Sequence, residues 1–210
     1  MIGYCAADPI YFDLYFDLWA TQMNKYYPEM HKIISVYKPN TAIEKKCHHY
    51  GVELRSAALP SSPTRAHFYL LRWLNLPYDS GDQILETQIN CLAVKKQTFS
   101  PQLVDHLRIA RHKRDTVGGI SAAVFKSAAA ERIVNQAKKM IIDPPIGDHP
   151  MNSWQATNLS WDKVLAEQQF KVDNKQIEPW CCWITAGTSQ HYTADQKLRL
   201  LKYYLEGNFN

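Results

Sequence analysis

The sequence predicts an α/β fold: a mostly parallel sheet with helices on both faces, built as one domain over residues 1–210. Three observations carry this. Short apolar strands alternate with amphipathic helices from Ile2 to Leu54. The junctions between them hold helix-start and helix-stop chemistry. A later stretch, Gly81 to Val94, follows a helical segment and a turn, and is apolar enough for a buried central strand. Strand–helix–strand repeats join parallel neighbours through right-handed crossovers, which puts the helices on the faces of the sheet. A chain of 210 residues, 46% hydrophobic and 21% charged, can bury one sizeable core, whereas two domains would leave both small.

Ile2 to Ala7 is a short apolar run and reads as the first strand. Asp8 is a good N-cap, and Pro9 falls at the first helical position, where its missing N–H costs nothing. Tyr11, Leu14, Tyr15, Leu18, Trp19 and Met23 then recur at three- and four-residue spacing, an amphipathic helix ending near Pro28. Lys32 to Tyr37 is short and β-branched, a second strand closed by Pro39. Asn40-Thr41 with Glu44 starts a second helix, Gly51 stops it, and Val52 to Leu54 is the third strand. Ser62-Pro63 opens a helix carrying Phe68, Leu71, Trp73 and Leu74 up to Pro77, ahead of the central strand. Leu103 to Arg114 reads as a short amphipathic helix with Arg108, Arg111 and Arg114 on one face. Val117 to Phe125 is a strand whose Gly118 and Gly119 suit a close backbone approach. An Ala-rich helix follows from Ser127 to about Ile141. Phe170–Val172 and Trp180–Ile184 are late strands, and a Lys- and Leu-rich helix from Thr193 to Leu205 closes the chain.

The formal charge is +4. That suits an anionic ligand and falls short of a dedicated DNA binder. A nucleic-acid reading rests on the patch around Arg111 and ranks behind; the same patch would also meet anionic lipid headgroups or a phosphorylated acceptor. The five cysteines lack zinc-like spacing and read as reduced thiols, which points to the cytoplasm. No basic, cleavable leader is seen at Met1, and no apolar run has the length of a transmembrane segment.

Four places in this order resemble the GT-A glycosyltransferases, especially the retaining enzymes related to glycogenin and the lipopolysaccharide galactosyltransferases. Ala6-Ala7-Asp8, followed by Tyr11, looks like their uridine-binding start. The helix Thr64 to Leu76, then Pro77-Tyr78, a turn and the strand Ile84 to Val94, matches their run into Asp-X-Asp. Gly118 to Phe125 looks like the strand where they approach donor and acceptor sugars, and Gly147 to Asn152 is similar to their late acidic motif. The resemblance covers most of the chain. It implies a GT-A, Rossmann-like sheet, a nucleotide-sugar donor, and a saccharide, lipid-linked or protein acceptor.

Where those enzymes hold a divalent cation on Asp-X-Asp, this chain reads Gln88-Ile89-Asn90. Both charges are gone. Amide oxygens bind Mn²⁺ or Mg²⁺ much more weakly than carboxylates, so no metal residue is assigned and no cofactor is certain: transfer is expected to be independent of Mn²⁺ or Mg²⁺, or to depend on it only weakly. Arg65 or Arg72 is then a candidate to neutralise the departing diphosphate. Residue by residue, the resemblance implies donor contacts at Ala7, Asp8, Tyr11, Gln88, Asn90, Gly118 and Gly119. It makes Asp148 the catalytic carboxylate, with Gly147 in the place of the usual first Asp. His191, ahead of Lys197, is similar to a late His–Lys segment on the donor side, without its Gly or its Lys-Pro-Trp ending. Each site residue also has a plainer role: Asp8 as a cap, Tyr11 as core, Asp148 as a solvated loop residue. Loss of Asp-X-Asp opens an alternative, a GT-A-like nucleotide- or sugar-binding or regulatory protein without catalysis.

Overall fold

The structure, a computed structural model, describes residues 1–64, 67–68, 70–79, 83–93, 96, 98, 106–111, 120–142, 171–173 and 181–183. For 106–111, 120–121, 171–173 and 181–183 it describes the backbone alone. The amino-terminal alternation forms as its local chemistry dictates. Strand β1 is Ile2–Ala7 and helix α1 is Pro9–Tyr26. Asp8 caps α1 in extended backbone, its Oδ1 accepting the Tyr11 N–H at 2.8 Å. Strand β2 is His31–Val36 and helix α2 is Thr41–Tyr50. Asn40 Oδ1 accepts the Ile43 N–H at 3.0 Å, and Gly51 ends α2 at φ +65°, a left-handed conformation that glycine adopts without strain. Strand β3 is Glu53–Ser56.

The remaining described elements are helix α3 (Leu71–Leu74), strands β4 (Gln83–Thr87), β5 (Cys91–Ala93), β6 (His106–Arg111) and β7 (Ile120–Lys126), helix α4 (Ser127–Ile142), and strands β8 (Lys171–Asp173) and β9 (Cys181–Trp183). The main sheet has the order β3-β2-β1-β4-β7-β6-β8. β1 to β4 are mutually parallel where paired, β7 opposes both β4 and β6, and β8 runs with β6. β5 and β9 pair antiparallel in a separate small sheet.

Helices cover both faces of the main sheet. Cys5, Ala7, Ile34, Val36 and Leu85 pack with Phe12, Phe16, Trp19 and Met23 of α1 and Ile43 and Cys47 of α2. The alternate residues Tyr4, Ile33, Ile84 and Phe125 pack with Trp73 of α3 and Ala130, Ile133 and Ala137 of α4. The period of two along each strand therefore divides one sheet between two cores. Each fully buried large side chain contributes about 1.5–3 kcal/mol.

Three expectations are corrected. Residues 106–111 form a strand, not a helix. Leu107 and Ile109 alternate with His106 and Arg108, and β7 and β8 supply ladder partners on both sides. The helical face of Arg108 and Arg111 does not exist, and the basic patch loses its argument with it. The single strand from Ile84 to Val94 is two strands, because the Cys91 N–H closes a turn on the Gln88 carbonyl at 2.8 Å. The helix from Thr64 to Leu76 is interrupted: residues 67–68 are helical, Leu70 is in a turn, and α3 follows. The closing helix from Thr193 to Leu205 lies outside the described residues.

Candidate functional site

β1, β2, β3 and β4 are parallel, so their carboxyl ends share one edge. The chain steps outward from β1 to β2 to β3 and then returns to β4 on the other side of β1. Such a reversal leaves a crevice outside the carboxyl ends of the strands, here between β1 and β4, where ligands bind in open α/β sheets. Ala7 and Asp8 stand at its β1 side and the Gln88 turn at its β4 side. Bonds beyond the strand ends tie this edge together: the Tyr37 N–H donates to Ala7 O at 3.2 Å, and the Ala57 N–H to Val36 O at 2.8 Å.

On the β1 side, Asp8 uses one carboxylate oxygen as the helix cap. A cap places a carboxylate at the positive end of α1, where the helix field stabilises its charge. Tyr11 lies one turn into α1, 38% exposed, with its ring 5.7 Å from that of Tyr15. An exposed aromatic face at a sheet's carboxyl edge is suited to stacking on a base or sugar. The hydroxyl of Tyr15 is buried, which pushes its pKa up to about 12 and keeps it protonated.

On the β4 side, Gln88, Ile89, Asn90 and Cys91 make the hydrogen-bonded turn. Ile89 and Asn90 are 3% and 6% exposed, and Cys91 is buried against the core that holds α1. The indole Nε1–H of Trp19 donates to Thr87 Oγ1 at 2.8 Å, a buried bond that fastens the end of β4 to α1. The backbone of the turn is therefore held from below by a helix that itself begins at Asp8. Two amide oxygens and an apolar residue offer a hard divalent cation a much weaker site than a pair of carboxylates would. Among the described residues no group of three His, Cys, Asp or Glu could hold a metal ion.

Arg72, a candidate for the missing positive charge, is committed elsewhere. Its Nη1 lies 3.0 Å from Glu86 Oε1 and its Cζ 4.6 Å from the Trp73 ring, all beneath the sheet. Glu86 is fully buried; burial pushes its pKa up to about 7, with Arg72 pulling the other way. The sequence carried a signal for this pair, since a Glu within Ile84-Leu85-Glu86 must find a polar partner or keep its proton if the strand is central. Lys38 was missed altogether. It stands just past β2 with φ +48°, its Nζ 5.2 Å above the Tyr37 ring. The structure thus places Ala7, Asp8, Tyr11, Gln88 and Asn90 along one edge. Arg65, Gly118, Gly119, Asp148 and His191 lie outside the described residues.

No family model and no curated protein matches the chain. Solved structures do. The glycosyltransferase GlyE of Streptococcus pneumoniae TIGR4 superposes with a TM-score of 0.58 at 11% identity, over 80% of this chain and 43% of GlyE. Its apo form gives 0.57 at 10% identity, over 82% of this chain and 44% of that one. The galactosyltransferase LgtC, solved with donor and acceptor sugar analogs, gives 0.53 at 11% identity, over 77% of this chain and 70% of LgtC. The chain therefore spans less than half the length of GlyE. At these identities the likeness is one of backbone, and that backbone is the GT-A glycosyltransferase fold.

Proposed function

We propose that this chain is a glycosyltransferase that moves a sugar from a nucleotide-diphosphate donor to a saccharide, lipid-linked or protein acceptor, without a resident divalent metal. One observation carries the reading. In a GT-A fold, the β1 end with Asp8 and Tyr11 and the β4 turn at Gln88–Asn90 flank the crevice where the strand order reverses. Tyr11 stacks on the nucleoside and Asp8 accepts from it. The Gln88 and Asn90 amides donate to donor oxygens, and Arg65, Gly118, Gly119 and His191 complete the donor side. The bond from the anomeric carbon to the phosphate oxygen breaks, and the nucleoside diphosphate leaves with the electron pair. The acceptor oxygen bonds to that carbon, its proton passing to Asp148 or to the departing phosphate. The buried free thiols of Cys5 and Cys47 fit a cytoplasmic setting. Among the described residues no helix is long and apolar enough to cross a membrane.

The test is thermal unfolding against a panel of nucleotides and nucleotide-sugars, with Mn²⁺ and with EDTA. A donor at 100 times its Kd adds about 2.7 kcal/mol. Stabilisation by one nucleotide-sugar, unchanged by EDTA, followed by transfer or hydrolysis of that sugar, is the expected result. Stabilisation with no turnover on any acceptor points to a binding protein of this fold. If no donor stabilises the chain under either condition, the reading fails.

A further inference from the structure

Among the described residues, one residue other than glycine adopts positive φ: Lys38, at +48°. It stands two positions beyond β2 and directly before Pro39. Both facts oppose that conformation. A Cβ in the left-handed region crowds the following carbonyl, and a residue before proline is driven toward extended backbone. Such strain persists only where the surroundings hold it, and it gathers at ligand sites.

The surroundings do hold it. The ammonium of Lys38 sits 5.2 Å above the Tyr37 ring, and that ring meets Phe68 edge-on at 5.4 Å between centroids. The Tyr37 N–H is bonded to Ala7 O, next to Asp8, so Lys38 is anchored beside the β1 end of the crevice. Lys38 is exposed, and among the described residues it makes no ion pair. Of the two positions that follow each of β1, β2, β3 and β4, Lys38 is the single Lys or Arg. Three other cations among the described residues are occupied: Arg72 by Glu86, Arg55 by Glu53 and Asp79, and Lys46 by Asp17.

We infer that Lys38 is a cationic contact for the diphosphate of the donor, supplying positive charge that the neutral Gln88–Asn90 turn does not attract through a metal. The inference rests on the transferase reading and names the residue that would make it work. β2 lies two strands from β4, about 10 Å. A lysine stem and one hydrogen bond cover most of that span, so the ammonium reaches a phosphate lying over β1. Lysine acts here as a point charge, and the aromatic face beneath it lowers the cost of holding the long stem in place.

The experiment is calorimetric titration of the wild-type chain, Lys38→Gln and Lys38→Arg with ADP, GDP, CDP, UDP and dTDP, each beside its nucleoside. Lys38→Gln is expected to weaken the bound diphosphate roughly tenfold or more, while the matching nucleoside changes less than about twofold. Lys38→Arg retains most of the affinity. Equal loss for nucleoside and diphosphate would assign Lys38 to the base or to the fold and overturn the inference. So would unchanged diphosphate binding in Lys38→Gln, with the transferase reading left standing. Failure of every diphosphate to bind the wild-type chain would sink that reading and this inference together.

Discussion

Replacing Glu86 by Gln isolates one buried carboxyl. Glu86 has no exposed surface, its Oε1 takes one hydrogen bond from Arg72, and its Oε2 has no partner among the described residues. Burial raises its pKa from 4.5 to about 7, and the nearby guanidinium only partly offsets that. Between those two values the native protein keeps a proton that the unfolded chain has released. Stability therefore falls as pH rises across this window and is flat above it. At about 1.4 kcal/mol per pH unit, the loss from pH 4.5 to 7 is about 3 kcal/mol. Gln is close in shape to the protonated acid and does not titrate. Urea unfolding of both proteins from pH 4 to 8 gives the difference directly, because every other carboxyl titrates in both and cancels. The wild-type chain is expected to lose about 3 kcal/mol relative to Glu86→Gln over that range. Profiles parallel to within about 0.5 kcal/mol would refute the reasoning. A difference of the opposite sign would mean that Arg72 outweighs burial and Glu86 stays ionised.

Four further outcomes follow from the same geometry. Trp19→Phe leaves the buried Thr87 hydroxyl without its donor and opens a small void, and should cost about 2–4 kcal/mol in urea unfolding. Asp8→Asn keeps an oxygen for the Tyr11 N–H and should preserve Tm while weakening donor binding; Asp8→Ala should also cost about 1 kcal/mol of stability. Gln88→Asp with Asn90→Asp puts two carboxylates on the turn, and donor binding in the double variant should become dependent on Mn²⁺; a change confined to stability would show that this turn does not face the donor. Lys38→Gly removes the left-handed penalty, and should raise stability by up to about 1 kcal/mol while lowering diphosphate affinity. A loss of stability in that variant would mean that the packing of the lysine over Tyr37 outweighs the strain.

The organisation of the site explains why such small changes should be felt. Asp8 starts the same helix whose Trp19 fastens Thr87, and Thr87 directly precedes the turn on the other side of the crevice. α1 thus spans the two halves of the candidate site. Its buried stripe of Phe12, Phe16, Trp19 and Met23 sets the distance between them. A cavity under that stripe would relax both the cap and the turn, so core substitutions in α1 should reach the binding edge as well as the stability.

The amino-terminal half was legible because its signals are local. Asp8 and Pro9 start α1, Asn40 starts α2, and Gly51 stops it, each through bonds to residues within a turn or so. Three-residue spacing in α1 and β-branching in β2 settle the rest. The candidate site was legible in part for the same reason, since Ala7, Asp8 and Tyr11 follow from where β1 ends and α1 begins. Elsewhere the deciding partners are distant in sequence. Arg108 and Arg111 have helical spacing, yet residues 106–111 are a strand because β7 and β8 offer ladders on both sides. The apolar run through Val94 looks continuous, yet the Gln88 turn divides it and β9 takes its second half into another sheet. Arg72 reads as a candidate cation for a phosphate, and only the packing of α3 on β1 and α4 beneath the sheet turns it inward to Glu86. Nothing in the neighbourhood of Lys38 announces its left-handed backbone, which depends on Tyr37 being pinned to Ala7 and braced by Phe68. The sequence by itself therefore determined the fold class and the amino-terminal elements, through capping and periodicity that act within a few residues. The tertiary structure decided strand identity, the break at Gln88 and the fate of each cation, because each of those is settled by a partner that only folding brings within reach.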